Sequence, residues 1–265
     1  MTERESFGVD YERFALGKLF SRLVRRHNIR TVLEIPAIGA KAAPSIYSIG
    51  FGLAGCDVTL INPEESAKSI WERLRLKDKV CFIDCSHIEH TDLEDNCFDF
   101  VWNFAAFPTA DNPRGLLREM RRVSKKYVAA ISVNRYNIGF PIHRAVHRYT
   151  GIPWTHGDVS FNSPRKMRRF FVENNLSIVE TGVVDCPPWP DSLGFRDVRL
   201  HRMNADSTAI GWHSNIIDYI LDGNYPKWMK AVYCIEAIPL PTIMKLLYSH
   251  LFYLLAKKNG GGTIA

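Results

Sequence analysis

Several common features are missing from this sequence, and each absence narrows the class of protein. Its six cysteines lie far apart without a CxxC pair, and no secretory signal precedes them, which favours free thiols in a reducing cytoplasm. No stretch offers the roughly 20 uninterrupted apolar residues of a membrane span. The best candidate, residues 235–256, contains Glu236, two prolines, Lys245 and His250. We therefore expect a cytoplasmic protein without a transmembrane helix.

The composition is that of a globular chain with a full core. Hydrophobic residues make up 46% of the 265 positions, enough for one domain with an elaboration. The formal net charge of +6 is mild and is concentrated in residues 118–126 and 165–169. Such runs are usually solvated helix faces, so we do not expect a nucleic-acid partner.

Residues 30–64 carry the pattern around which the chain is organised. Residues 31–35 (TVLEI) form an apolar run rich in β-branched side chains, as in a buried parallel strand. A turn at 36–40 precedes a helical pattern at 43–53, which Gly55 is placed to end. Residues 58–61 then predict a second buried strand, which completes a βαβ unit.

Further elements follow in regular order. A helix with Ser66 as its cap leads to a strand at 80–83, and Asp84 follows that strand directly. The motif DNCFDFV at 95–101 opens a fourth strand. Later patterns predict helices at 116–123 and 164–173, the second with Ser163 before Pro164, and strands at 126–133 and 176–184.

The unbroken order of these elements over residues 30–185 resembles the class I S-adenosylmethionine (SAM) dependent methyltransferases that act on small molecules. The resemblance implies an α/β fold: a Rossmann-like, doubly wound, seven-stranded sheet, mostly parallel with an antiparallel last strand, and a helical and loop insertion before that strand. The family's usual glycine loop is altered. Its three glycine positions hold Pro36, Ile38 and Ala40, and Gly39 alone offers a close backbone approach.

The same resemblance divides the chain into four parts. Residues 1–29 form an N-terminal helix, and residues 30–185 form the SAM-binding core. Residues 186–245, with Trp189 and Trp212, are expected to cap the acceptor pocket at the carboxyl edge of the sheet. Residues 246–265 hold the closing strand at 250–256 and a tail.

The resemblance also implies a set of cofactor contacts. Glu34 lies near the methionine amino group, and Asn62 or Glu64 holds the ribose. Asp84 accepts from the adenine amino group, and the backbone at Cys85 meets the ring nitrogens. Asn103, at the end of the fourth strand, faces the space where the transferred methyl group would lie, in contact with either the cofactor or the acceptor. With the altered loop, the predicted cofactor-binding set is Glu34, Pro36, Gly39, Asn62, Glu64, Asp84, Cys85 and Asn103. Phe98 and Asp99 are interpreted as structural.

Three histidines are candidates for a general base, since an imidazole titrates in the useful range. His143 and His147 share a face of the helix predicted after the fifth strand, and His156 lies in the loop beyond it. The pair also has the spacing of metal ligands, but Arg144 and Arg148 would repel a cation. A solvated basic helix is therefore favoured, and no metal is predicted.

Three functions compete. The first is a SAM-dependent methyltransferase with a small-molecule or lipid-like acceptor. The second is a non-catalytic binding or scaffold protein with a degenerate cofactor loop. The third is a peripheral membrane protein that uses apolar and aromatic residues near the C-terminus: Ile243, Leu246, Leu247, Tyr248, Phe252 and Tyr253. The enzyme is preferred because Glu34, Asp84 and the Phe98-Asp99 motif persist. The acceptor and the oligomeric state do not follow from the sequence.

Overall fold

The computed structural model describes residues 2–4, 7–38, 45–187, 193 and 211–259, with only the backbone described for 2–4 and 211–212. The helices in this part of the chain are α1 Phe7–His27, α2 Ile49–Leu53, α3 Ser66–Arg73, α4 Pro113–Val123, α5 Gly139–Thr150, α6 Pro164–Glu173, α7 Asn215–Leu221, α8 Lys227–Glu236 and α9 Thr242–Leu246. The strands are β1 Thr2–Arg4, β2 Thr31–Glu34, β3 Asp57–Ile61, β4 Val80–Ile83, β5 Phe98–Phe104, β6 Ser124–Val133, β7 Leu176–Val184, β8 Gly211–His213 and β9 Leu251–Lys258.

Seven of these strands form one sheet in the order β4-β3-β2-β5-β6-β9-β7. All neighbours are parallel except β9, which runs antiparallel between β6 and β7. The chain moves outward from β2 to β4 and then returns to β5 on the other side of β2, which makes the β2–β5 boundary a topological switch point. This arrangement confirms the predicted fold. A separate parallel pair joins β1 to β8.

The sheet is buried on both faces because most residues of its central strands are apolar. Successive residues of a strand point to opposite faces. Val32 therefore packs with α1 and α2, and Leu33 with α4 and α6. On the first face, Phe20 of α1 stacks on Phe51 of α2 with ring centroids 4.1 Å apart. These contacts hold the start of the chain against the sheet.

Two local predictions need correction and one is confirmed. The helix predicted at 43–53 is described only as Ile49–Leu53, after a turn at 47–48. Ser66 is the first residue of α3 and not its cap, a position that Glu65 takes. Gly55 does follow the end of α2 with a positive φ of 91°, a conformation that glycine adopts without steric cost.

The C-terminal segment is a sheet strand, as predicted. Residues 251–256 of β9 are buried, and among the described residues no helix is long and apolar enough to cross a membrane. Phe252 and Tyr253 point into the core, with 1% and 7% exposure, so the prediction that they contact a membrane is wrong. Before β9, α7 and α8 pack against α1. Trp189 lies outside the described residues.

Candidate functional site

A cavity of about 440 Å³ opens at the carboxyl edge of the sheet, where β2, β3, β4 and β5 end. Open α/β sheets bind their ligands at this edge, next to the switch point. The cavity has the size of a small-molecule site. Its lining includes Pro36, Ile38, Asn62, His87, Ala106 and Thr109.

Glu34, the last residue of β2, is completely buried beside the switch point. Its Oε2 accepts a hydrogen bond of 2.6 Å from the Ser48 hydroxyl, which in turn accepts one from the indole Nε1 of Trp102 at 3.0 Å. Its Oε1 has no hydrogen-bond partner among the described residues. Burial raises the pKa of Glu34 to about 8, although Ser48 and Arg13 favour the charged form. An unsatisfied buried oxygen of this kind suits a cationic or hydrogen-bond-donating ligand group.

Asn62 and Cys85 are joined to each other across the ends of β3 and β4. The Asn62 Nδ2 donates to the Cys85 carbonyl at 2.8 Å, and the Cys85 N–H donates to the Asn62 Oδ1 at 2.6 Å. Both backbone groups of Cys85 and both ends of the amide are thereby used. The sequence predicts that Asn62 binds the ribose and that the Cys85 backbone contacts the adenine ring. Both roles would require the bonds between Asn62 and Cys85 to be replaced by bonds to the ligand.

Two further acids of the predicted set, Glu64 and Asp84, are exposed at the same edge. Burial raises the pKa of Glu64, and its backbone N–H donates to the Ser45 hydroxyl at 3.0 Å. The Asp84 carboxylate makes no hydrogen bond with the described residues. Both carboxylates are therefore accessible to a ligand, as their predicted roles require.

The remaining members of the cofactor set differ in placement. Pro36 is buried and lines the cavity. Gly39 lies outside the described residues. Asn103 is completely buried near the end of β5, where its Nδ2 lies 3.3 Å from the Met120 sulfur and its Oδ1 has no partner among the described residues. Asp99, interpreted as structural, accepts from the backbone of Arg30 at 2.9 Å and fixes the start of β2.

The three histidines meet in one cluster. His143 Nε2 lies 3.0 Å from His147 Nε2, and the rings of both lie within 5.6 Å of the His156 ring, centroid to centroid. Trp154 packs against all three rings. His147 is 6% exposed, so the interpretation of this face as solvated is wrong for that residue. The loop after His156 contacts the backbone next to the cavity lining, because Asp158 donates its backbone N–H to the carbonyl of Pro108, the residue before Thr109.

A buried polar network under α1 was missed by sequence reasoning. His250 Nδ1 lies 3.2 Å from Glu12 Oε2 and 3.0 Å from Asp185 Oδ2. The Tyr11 hydroxyl donates to Glu236 at 2.6 Å. Tyr11 and Glu12 lie near the amino end of α1, directly after Asp10, and all three residues are buried.

A second cavity, of about 180 Å³, lies between α1, the turn before α2, and α7. Most of its lining is apolar, including Phe14, Ile49 and Ile216, and two cations, Arg13 and Lys18, also line it. Arg13 is 7% exposed, and its guanidinium carbon lies 4.6 Å from the Tyr47 ring centroid. Tyr47 stacks on Phe104 at the end of β5, 4.0 Å between ring centroids, which connects this cavity to the switch point.

Part of the chain also matches a known protein family. Residues 42–130, which include the loop before α2 and the strands from β3 into β6, match the family described as a methyltransferase domain. Among curated proteins, none matches the chain significantly.

Solved structures show the same fold at low sequence identity. Magnesium protoporphyrin IX methyltransferase of Synechocystis PCC 6803, solved with bound SAH, aligns with a TM-score of 0.54 at 11% identity and covers 95% of this chain and 84% of its own. The cyclase SpnF aligns at 0.54 and 14% identity, over 92% and 82%. The YcgJ protein of Bacillus subtilis aligns at 0.52 and 14%, over 91% and 98%. Residues 42–130 thus match a methyltransferase domain, and the chain as a whole shares the Rossmann-like fold of these solved structures.

Proposed function

We propose that this protein is a SAM-dependent methyltransferase that acts on a small-molecule or lipid-like acceptor. The observation that carries the proposal is Glu34, a fully buried carboxyl group at the switch point whose Oε1 has no hydrogen-bond partner among the described residues. SAM supplies an electrophilic methyl group on a sulfonium. The cationic amino group of the same molecule would match the charged form of Glu34 at the Oε1 side.

Exposed acids at the neighbouring strand ends would complete the cofactor site. Asp84 is free to accept from the adenine amino group. Glu64 is better placed than Asn62 for the ribose hydroxyls, because the Asn62 amide is engaged with the Cys85 backbone. Pro36 provides an apolar wall, and Asn103 offers an amide oxygen near the end of β5. The role of Gly39 in close backbone approach stays a prediction.

The second cavity fits an acceptor with an apolar body and an acidic group. Its lining is mainly aliphatic and aromatic, while Arg13 and Lys18 would neutralise a carboxylate or phosphate. The segment with α7 and α8 closes one side of this cavity through Ile216, which supports its predicted role as a cap. Catalysis would come chiefly from holding the acceptor in line with the methyl group and excluding water.

The histidine cluster supplies the candidate general base. A hydroxyl or phenol acceptor must lose its proton during attack, and an imidazole accepts one near neutral pH. His147 is oriented for this by the carbonyls of Ile152 and Pro153, both 3.1 Å from its Nδ1. The six free cysteines support the predicted cytoplasmic location.

A peripheral membrane contact is a second candidate, favoured by an exposed apolar patch. The patch consists of Ile138, Ile142, Ile243, Met244 and Leu247, and the Ile138 N–H donates to the Leu247 carbonyl, which brings its two segments together. Ile243 is 75% exposed. Co-sedimentation with phosphatidylcholine vesicles should fall in Ile243→Ser. It should be unchanged in Val172→Ser, which removes an exposed apolar residue from α6.

The enzyme proposal is tested by equilibrium binding of SAM to the full chain. Saturable binding at one site supports it. A complete lack of SAM and S-adenosylhomocysteine binding at millimolar ligand would replace it with the scaffold alternative, in which the altered loop has ended cofactor binding.

A further inference from the structure

We propose that His143, His147 and His156 form a binding site for one divalent transition-metal ion. The three residues each offer one nitrogen, and the three nitrogens lie within 4.8 Å of one another. The site is formed by one helix, α5, and by the loop that follows it. Metal binding is measurable without SAM, so the inference does not rest on the proposed methyl transfer.

The carbonyl groups around His147 fix which of its nitrogens can bind a metal. Its Nδ1 lies 3.1 Å from the carbonyl oxygens of Ile152 and Pro153. Carbonyl oxygens only accept hydrogen bonds, so Nδ1 carries the hydrogen and Nε2 of the neutral ring carries the lone pair. Metal-binding histidines almost always donate their other N–H to a carbonyl or carboxylate in this way, which fixes the ring orientation.

The lone pair of His147 points at a second potential ligand. His143 Nε2 lies 3.0 Å from His147 Nε2, a contact made by residues one helical turn apart. Two nitrogens bound to one tetrahedral zinc at about 2.0 to 2.1 Å lie roughly 3.3 Å apart, so this pair already has nearly the required separation. In the metal-bound form His143 would carry its hydrogen on Nδ1.

His156 supplies the third nitrogen from the loop after α5. Gly157, directly after it, has a φ of +66°, and a Cβ there would overlap the Pro108 carbonyl oxygen. The loop is thus held close to the backbone that follows β5. Binding requires the His156 nitrogen to move toward the other two.

The two arginines whose charges disfavour a metal ion lie outside the cluster of histidine rings. Arg144 and Arg148 are exposed, where water and salt screen their charges. The Arg144 guanidinium carbon lies 5.4 Å from the Trp154 ring centroid, so this cation is in contact with an indole face.

The chemistry of the ligands selects the class of metal. Three imidazoles without a carboxylate suit Zn²⁺, Co²⁺, Ni²⁺ or Cu²⁺ over Mg²⁺ or Ca²⁺. Three protein ligands also leave a position of a tetrahedral ion open to water or to an anionic oxygen. A metal bound here would occupy the Nε2 lone pair of His147, so that this atom could not serve as a general base at the same time.

The test is a Co²⁺ titration of the tag-free, chelator-treated full chain, followed by visible absorption and by Zn²⁺ displacement. We expect one equivalent of Co²⁺ to give tetrahedral bands that Zn²⁺ removes. His143→Gln and His156→Gln should each weaken Co²⁺ binding by at least about 100-fold. Loss of a residue that only hydrogen-bonds to a metal ligand weakens binding by up to about 100-fold, so a larger effect indicates a ligand. Far-UV circular dichroism establishes that each variant is folded.

His90→Ala is the matched control, because His90 is an exposed histidine on the loop after β4. It should bind Co²⁺ as the wild type does. The proposal is overturned if the wild type shows no saturable Co²⁺ site. It is equally overturned if folded His143→Gln and His156→Gln bind as tightly as the wild type, since the ion would then be held elsewhere.

Discussion

Replacing Glu34 with glutamine should change how the stability of the ligand-free protein depends on pH. Burial raises the pKa of Glu34 from 4.5 to about 8 in the folded state. The folded protein then holds a proton that the unfolded chain has lost, so stability is fully present below about pH 4.5 and falls as pH rises through 8. A pKa unit corresponds to about 1.36 kcal/mol, which sets the loss at no more than about 5 kcal/mol.

The assay is urea unfolding of wild type and Glu34→Gln between about pH 5 and about pH 9. The glutamine amide does not ionise, so the variant lacks this decline while sharing the titration of every other group. The extra N–H groups of the glutamine lower the free energy of unfolding equally at all pH values. The result to compare is therefore the slope of the free energy of unfolding against pH in the two proteins. Parallel curves for the two proteins would refute a protonated, buried Glu34.

The same pair of proteins reports on the cofactor. If the SAM amino group lies beside Glu34, binding favours the ionised carboxylate and releases a proton below about pH 8. Affinity should then rise by up to about tenfold per pH unit in the wild type. The affinity of Glu34→Gln for SAM should still reflect the titration of SAM itself, but it should lack this additional rise with pH.

Two further substitutions separate binding from structure. Asn62→Ala should lower the free energy of unfolding by about 1 to 3 kcal/mol, because it removes both bonds to the Cys85 backbone. Glu64→Gln should weaken S-adenosylhomocysteine binding more than Asn62→Ala does, while leaving stability unchanged. The reverse ranking of the two affinities would contradict ribose binding by Glu64. Gly157→Ala should cost at least about 2 kcal/mol, since it combines a positive φ with overlap at Pro108. Gly151→Ala has the same strain with no neighbour within 4 Å and should cost less; equal thermal shifts would contradict this reading.

The sheet could be predicted because each of its strands is marked by residues that are close together in the sequence. Each of the strands β2, β3 and β4 is a short, mainly apolar run, and an acid or amide at its end or directly after it marks the ligand edge. The position of β9 also followed from its run of apolar residues and from the family resemblance. The length of α2 did not, because Ile46 and Ile49 suit a turn packed on α1 as well as a helix.

The candidate site was predicted in part. Glu34 could be placed at the edge, but its unpartnered oxygen depends on Ser48 and Trp102, which reach it only after folding. The Asn62–Cys85 pairing arises from the parallel register that sets Ile61 beside Ile83. The i, i+4 spacing predicted that His143 and His147 share a face, whereas the approach of His156 depends on the path of a loop.

The central claim is that the carboxyl edge of the sheet binds SAM, and calorimetric titration of Asp84→Ala with S-adenosylhomocysteine tests it most directly. Asp78→Ala is the matched control, since Asp78 is an exposed aspartate just before the amino end of the same strand, β4. The account predicts one site in the wild type, an unchanged affinity in Asp78→Ala, and a loss of about 1 to 3 kcal/mol in Asp84→Ala with the fold intact. Equal affinities in all three proteins would contradict it.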